Sequence, residues 1–225
     1  YMHMIDEVIK TNHQVLCLVP EITLIGPMAQ QLKSRFEHVF IYHSGLSKGE
    51  RYDQLRSISA HQNAIVLGTR SASFLPFDHL GLIIMDEEHD EAYQQDEGII
   101  YHARDILKFR ANYHQVPLIL GSATPSIESM YHAEQKRYEL IKLNERATKI
   151  NLPTIHFVDM KEELKQKNTS IFSTQLKEAM IDRLSKKEQI MLLYNRKGHA
   201  PFVLCRQCGD VPKCPHCDVS LTYYK

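Results

Sequence analysis

No stretch of this sequence approaches the roughly 18 uninterrupted apolar residues that a membrane-crossing helix needs. The N-terminal residues lack the basic-then-apolar pattern of a secretory signal. A chain without either is expected in the cytoplasm, with no membrane as partner. Excess charge of one sign is lacking too: 27 Lys plus Arg face 27 Asp plus Glu, for a formal net charge of zero. Global charge therefore points to no polyanion, and any nucleic-acid contact has to be local. No internal repeat or low-complexity tract occurs. Cysteine is scarce over most of the chain, where Cys17 stands alone in an apolar run, while Cys205, Cys208, Cys214 and Cys217 crowd the end. Without a secretion signal, such a cluster reads as metal ligation before disulfides. The 225 residues are 43% hydrophobic and 24% charged, enough to bury a core.

Up to about residue 126, apolar runs of four to six residues alternate with longer amphipathic stretches, the rhythm of βαβ units. Met2, Ile5, Val8 and Ile9 share one helix face, and Ile25, Met28, Ala29, Leu32 and Phe36 share another. Runs at 15–19, 39–42, 64–67, 82–85 and 118–120 read as strands, most without alternation, as expected when helices cover both faces of a parallel sheet. The expected fold is a doubly wound α/β domain over residues 1–143. Residues 144–152 read as a linker and 153–200 as the start of a second lobe. In that lobe strands are expected at 154–158 and 190–193, and a helix at 174–184 with Leu176, Ala179, Met180 and Leu184 turned inward. Residues 201–225 read as part of a zinc-binding insertion.

Several strands run into polar segments: Pro20-Glu21, Gly68-Thr69-Arg70-Ser71, Asp86-Glu87-Glu88-His89 and Gly121-Ser122-Ala123-Thr124-Pro125. In open α/β sheets ligands bind at the carboxyl ends of the strands, so these four segments are expected to converge there. Asp86 and Glu87 put two consecutive carboxylates past the end of a buried strand. One can hold Mg²⁺ while its neighbour polarises the water of a phosphoryl transfer, the Walker B arrangement. The plain alternative is a solvated acidic loop, since Asp90, Glu91, Asp96 and Glu97 follow. The turn at 121–125 supplies two hydroxyls, Ser122 and Thr124; taken alone it is a turn leading into a helix. In this order and spacing, the acidic strand end and the small-residue turn resemble motifs II and III of superfamily 2 helicases.

The resemblance narrows when further segments are added. Leu18-Val19-Pro20-Glu21-Ile22-Thr23-Leu24, His43-Ser44-Gly45-Leu46-Ser47, Gly68-Thr69-Arg70-Ser71-Ala72, Asn195-Arg196-Lys197-Gly198 and the four clustered cysteines follow the order seen in the bacterial primosomal replication-restart helicase (PriA) family. That resemblance implies an ATP-dependent 3′ to 5′ DNA helicase that recognises stalled forks and D-loops and restarts replication by primosome assembly. The implied partners are single-stranded and forked DNA, single-stranded DNA-binding protein, and primosome and helicase-loading proteins; the implied cofactors are ATP, Mg²⁺ and Zn²⁺. Carried onto this chain, Asp86 would position Mg²⁺, Glu87 would activate water, and His89 would couple the nucleotide site to Ser122 and Thr124. Glu21, Thr69 and Arg70 would lie on the DNA side, where an intralobe salt bridge is the alternative for Arg70. Tyr93, Tyr101 and Arg104 would belong to an aromatic-rich loop that senses single-stranded DNA, the alternative being a tyrosine-decorated surface loop. Gln94 and Ile100 depart from the lysine and arginine of that loop's pattern, which puts its charge-assisted contacts in doubt.

One motif of this chemistry is missing: no Gly-x-x-x-x-Gly-Lys-[Ser/Thr] occurs among the 225 residues. The resemblance puts it just upstream of Tyr1, so the sequence is expected to be a piece of a longer protein and not to hydrolyse ATP alone. Cys205-x-x-Cys208 and Cys214-x-x-Cys217 each have zinc-knuckle spacing. Only five residues separate the pairs, which suggests two interleaved sites completed by further cysteines; the resemblance implies two zinc ions and eight cysteines. A single four-cysteine site remains open, as do His199 and His216 as substitute ligands. Cys17 reads as a small buried hydrophobe. Two rivals stand beside this reading. One is another superfamily 2 translocase, such as a branch-migration helicase; the other is a zinc-stabilised nucleic-acid-binding or assembly module with a degenerate nucleotide fold.

Overall fold

A short apolar strand leaves its backbone N–H and C=O groups unpaired until other strands lie beside it. In the computed structural model, which describes residues 1–145, 153–193, 204–205, 207–215 and 220, the first half of the chain meets that need. Strands β1 (Gln14–Leu18), β2 (Val39–Tyr42), β3 (Ile65–Gly68) and β4 (Leu80–Met85) are followed by a small hairpin of β5 (Gln94–Gln95) and β6 (Tyr101–His102), then by β7 (Leu118–Leu120). The hairpin stands apart, and the other five strands form one parallel sheet in the order β2-β3-β1-β4-β7. The doubly wound α/β fold expected from the apolar runs is present. Strand ends fall within about two residues of the runs in the sequence, the ordinary uncertainty of such boundaries.

Both faces of the sheet are covered, which explains why its strands do not alternate. On one face Val15, Cys17 and Val19 of the first strand meet Ile5 of helix α1 (Met2–Lys10) and Ile25, Ala29 and Leu32 of α2 (Ile22–Lys33). On the other, Leu16 and Leu18 meet Ile58 of α3 (Lys48–Ala60) and Leu107 and Ala111 of α4 (Ala103–His114). Burial at each such Leu, Ile or Val contributes about 1.5–3 kcal/mol. The third helix starts at a capping box, with Ser47 Oγ accepting from the Glu50 amide and the Glu50 carboxylate accepting from that of Ser47. A fifth helix, α5 (Ile127–Glu134), starts at Ser126, just past the small-residue turn.

The chain separates into two units, Tyr1–Leu143 and Asn144–Lys225. In the second, α6 (Met160–Lys165) and α7 (Thr174–Ser185) are joined through Glu163, whose carboxylate accepts from the Thr174 amide at 2.7 Å and the Thr174 hydroxyl at 2.8 Å. The strands expected at 154–158 and 190–193 do not form: neither segment pairs with another strand among the described residues, and Phe157 and Leu193 are about 95% exposed. The expected helix is present, but its inward face is not; Leu176 and Leu184 are exposed and no residue of that helix is buried. Apolar runs become strands only where a ladder exists to receive them. Residues 195–199, 216 and 217, which carry Asn195-Arg196-Lys197-Gly198, His199, His216 and Cys217, lie outside the described residues.

Candidate active site

Because the five strands are parallel, the segments after β1, β3, β4 and β7 emerge at one edge of the sheet. The fourth and last strands are tied there. Gly121 N–H donates to Met85 C=O at 2.9 Å, and Glu88 N–H donates to Gly121 C=O at 3.0 Å. The turn at 121–125 is thereby held against the acidic strand end. A Cβ at Gly121 would overlap the hydroxyl of Tyr1 and push that side chain off Asp86.

Asp86 is half-buried and held at two points. Tyr1 Oη donates to its Oδ1 at 2.7 Å, and Tyr93 Oη donates to its main-chain oxygen, also at 2.7 Å. Burial, and then the Asp86 carboxylate, push both phenols above their ordinary value, so both stay protonated donors. Glu87 occupies left-handed backbone at φ 47°, a conformation rare for a residue with a Cβ. Strain of this kind gathers at functional sites. Its carboxylate stays open to solvent, 3.6 Å from His89 Nδ1. Across the edge, His89 Nδ1 lies 2.7 Å from Ser122 Oγ and Nε2 lies 3.3 Å from Thr124 Oγ1. Which ring nitrogen carries the proton sets the direction of those bonds. Ser122 Oγ also accepts from the Thr124 amide at 3.0 Å. Asp86, Glu87, His89, Ser122 and Thr124, separate in sequence, therefore occupy one corner of the sheet edge.

Glu88 turns the other way. Its side chain is 1% exposed and meets the guanidinium of Arg104, itself 13% exposed, at 3.0 Å. Ser126 and Ser129 complete the set. The Ser126 amide donates to Glu88 Oε1 at 2.7 Å, while the two serine hydroxyls donate to Oε2 at 3.1 and 3.0 Å. Burial alone would raise this carboxyl; the hydrogen bonds from Ser126 and Ser129 and the Arg104 charge outweigh it and hold it below the ordinary range.

The DNA-side residues separate into two groups. Thr69, Arg70 and Tyr101 line an open cleft of about 380 Å³ together with Pro20, Ser44 and Gln95. In that cleft the buried Ser71 hydroxyl has no hydrogen-bond partner among the described residues. The Arg70 guanidinium donates to Gln94 C=O, an intralobe hydrogen bond rather than a salt bridge. Tyr101 packs edge-on against Phe74 at 5.1 Å. Glu21, between two cleft residues, is exposed and accepts from Thr23 Oγ1 at 3.0 Å. Tyr93 and Arg104 differ from the loop role expected of them. Tyr93 is fully buried, with no ring face for a base, and Arg104 is committed to Glu88 and the two serines. The aromatic-rich loop is a hairpin whose ends turn into the core.

Sequence reasoning did not single out Glu88 or Tyr1. Nothing local distinguishes Glu88 from its acidic neighbours; its partners lie 16 to 41 residues away. Tyr1 meets Asp86 across 85 residues.

At the cysteine cluster, Gly209 N–H donates to Cys205 C=O at 2.7 Å and Cys205 N–H to Asp210 C=O at 2.8 Å, closing a tight turn with Gly209 at φ 78°. The Cys208 amide, then the Cys208 thiol and the Gln207 amide, hold the Cys205 thiol below its ordinary value. Cys205 and Cys208 are exposed, Cys214 is half-buried, and neither these three nor Cys17 is in a disulfide. Among the described residues no group of three His, Cys, Asp or Glu side chains is placed to hold a metal.

A parallel sheet with an acidic strand end bonded to a hydroxyl-bearing turn defines the class. The DEAD/DEAH box helicase family matches residues 1–132, and the chain belongs to that family. Within it, the resemblance to the replication-restart proteins holds along the whole chain. The sequence is 44% identical over 226 residues to the replication restart protein PriA of Bacillus subtilis and 45% identical over 230 residues to that of Synechocystis. Each comparison covers all of this chain and 28% of the relative, so the chain spans under a third of those proteins. Among solved structures, the helicase domain of Pyrococcus furiosus Hef aligns with a TM-score of 0.45 at 14% identity, covering 82% of this chain and 47% of that one. No helix among the described residues is long and apolar enough to cross a membrane.

Proposed function

We propose that the full-length protein carrying this segment is a cytoplasmic ATP-dependent DNA helicase of replication restart. It moves 3′ to 5′ on single-stranded DNA, engages stalled forks and D-loops, and acts with single-stranded DNA-binding protein and the primosome and helicase-loading proteins. The observation that carries the hydrolytic part is the bonding of His89 to Ser122 and Thr124 beside Asp86 and Glu87 at one sheet edge. An acidic loop with only a solvating role has no reason to be tied across the sheet in this way.

The residues present fit a Mg²⁺–nucleotide complex, because Tyr1 is the one donor to the Asp86 carboxylate among the described residues and Oδ2 is left available. Mg²⁺, when bound, neutralises charge on the phosphates. Asp86 would hold it, and the two tyrosine hydroxyls fix where Asp86 stands. Glu87, open to solvent, orients the attacking water and draws its proton. His89 couples the nucleotide site to Ser122 and Thr124. The P-loop that cradles the phosphates is outside these 225 residues, so hydrolysis is ascribed to the full-length protein. On the other side, the cleft lined by Thr69 and Arg70 takes a DNA phosphate, and Tyr101 offers a partly open ring beside it.

The cysteine turn has a structural role. Two thiols on one tight turn are donors that suit Zn²⁺; Cys205 and Cys208 form one half-site, and Cys214 with Cys217 another. In domain terms, residues 1–143 form the first lobe, 144–152 the linker, 153–200 the start of the second lobe and 201–225 part of the zinc insertion.

The test is Glu87→Gln in the full-length protein. Hydrolysis stimulated by single-stranded DNA is expected to fall by about two or more orders of magnitude, with ATP binding by equilibrium titration retained. Near-normal turnover in that variant overturns the reading.

A further inference from the structure

We infer that Tyr1 is a positioning residue for the carboxylate that holds Mg²⁺, and that its hydroxyl, seated between Asp86 and Gly121, sets how much Mg²⁺ the nucleotide site needs. This rests on the helicase reading above and names a residue that tunes that same site.

The seat is built from both sides. Tyr1 is the N-cap residue of α1, and its C=O accepts from the amide of Ile5 at 3.0 Å. Ile5 is buried against the sheet, so the main chain of Tyr1 is held by a helix that cannot shift without opening the core. A side chain at a cap position ordinarily accepts from the first turn of its own helix. Tyr1 makes no such bond and commits its hydroxyl instead to Asp86, 85 residues away. Gly121 leaves the room for this. A Cβ there would overlap the Tyr1 hydroxyl and come within 3.3 Å of Asp86 Oδ1. Gly121 is itself tied to Met85 and Glu88 through its amide and carbonyl, so the tip of the phenol is what would yield.

The bond has a definite consequence for a cation. A carboxylate without a partner turns freely about its own axis, whereas the 2.7 Å bond to Oδ1 leaves Oδ2 presented in one direction. The phenol is a neutral donor, so it orders Asp86 without cancelling the negative charge that attracts the ion. A lysine or arginine in its place would supply the order and remove the charge. Hydrogen-bonding partners of metal-holding carboxylates typically set affinity for the ion by about 10–100-fold.

The test uses the full-length protein and a non-hydrolysable ATP analogue, with affinity read by calorimetry in EDTA and across a Mg²⁺ series. For Tyr1→Phe, the Mg²⁺ concentration that gives half of the gain in affinity is expected to rise about tenfold, while affinity in EDTA stays within about threefold of wild type. Gly121→Ala displaces the same hydroxyl without deleting it and is expected to raise the Mg²⁺ requirement likewise. Both changes remove one bond, so the double variant should be no worse than Gly121→Ala alone. If Gly121→Ala fails to fold, Tyr1→Phe carries the test. An unchanged Mg²⁺ requirement in Tyr1→Phe, or additive effects in the double variant, overturns the inference. An equal loss of affinity in EDTA and in Mg²⁺ overturns it too, because a merely loosened helix would give that result. A wild-type protein whose binding of the analogue ignores Mg²⁺ overturns the helicase reading itself, and the inference with it.

Discussion

The two units of this chain use the same kind of sequence and end differently. In Tyr1–Leu143, runs such as 82–85 and 15–18 lie side by side and are fully buried; in Asn144–Lys225, the runs at 154–158 and 190–193 form no strand and are mostly exposed. Local signals are equally good in both. The seventh helix has a Ser173 cap accepting from Leu176 at 3.1 Å, as the third has its Ser47 capping box. What differs is the supply of partners. Helix caps and apolar runs state an intention, and only a sheet with both faces covered turns it into a core.

The largest expected effect breaks the first unit and spares the second. Ile83→Ala, in the middle of the sheet, is expected to cost about 2–5 kcal/mol, whereas Phe157→Ala should stay within about 0.5 kcal/mol, both read by urea unfolding. Similar costs would mean that the second unit has a core of its own. A smaller effect separates adjacent carboxylates. Glu88→Gln leaves Arg104 short of its buried partner and should cost about 1–3 kcal/mol; Glu87→Gln should cost almost nothing. The same pair sharpens with pH. The Glu88 carboxyl is held below its unfolded value, so its stabilisation is complete above that unfolded value, about pH 4.3, and is lost as pH falls through the lower, folded one. Acid unfolding curves of wild type should therefore be steeper than those of Glu88→Gln below about pH 4.3. The smallest effect is chemical: burial pushes the Cys17 thiol up to about 12, and Cys205 is exposed with its thiol held low. Iodoacetamide at pH 8 should label Cys205 in the folded protein once zinc has been stripped by a chelator, and Cys17 only after unfolding, as read by peptide mass.

Legibility in the sequence followed the same division. Buried strands with no alternation announced a sheet covered on both sides, and Asp86-Glu87 with the turn at 121–125 announced which segments meet at one corner of its edge, because those signals are local and their order is fixed by the parallel topology. The roles of Glu88 and Arg104 could not be read that way. Each is a charged residue among others, and which charge turns inward is decided by Ser126 and Ser129, which sequence does not place. Tyr93 was misread for a related reason: an aromatic residue after an acidic box suits a DNA-facing loop and a core position equally, and its bond to the Asp86 carbonyl decides for the core. The strands at 154–158 and 190–193 failed because a run of apolar residues carries no information about whether a neighbour exists.

The most direct test of the account sets the two neighbouring carboxylates against each other. Steady-state ATP hydrolysis by the full-length protein, with and without oligo-dT, is compared for Glu87→Gln and Glu88→Gln. Glu87→Gln should lose both the DNA-free and the stimulated rate, whereas Glu88→Gln, whose carboxylate is buried against Arg104, Ser126 and Ser129, should keep its DNA-free rate within about threefold of wild type. If the two variants lose both rates alike, or neither loses anything, the division of this strand end into a hydrolytic and a structural carboxylate is contradicted.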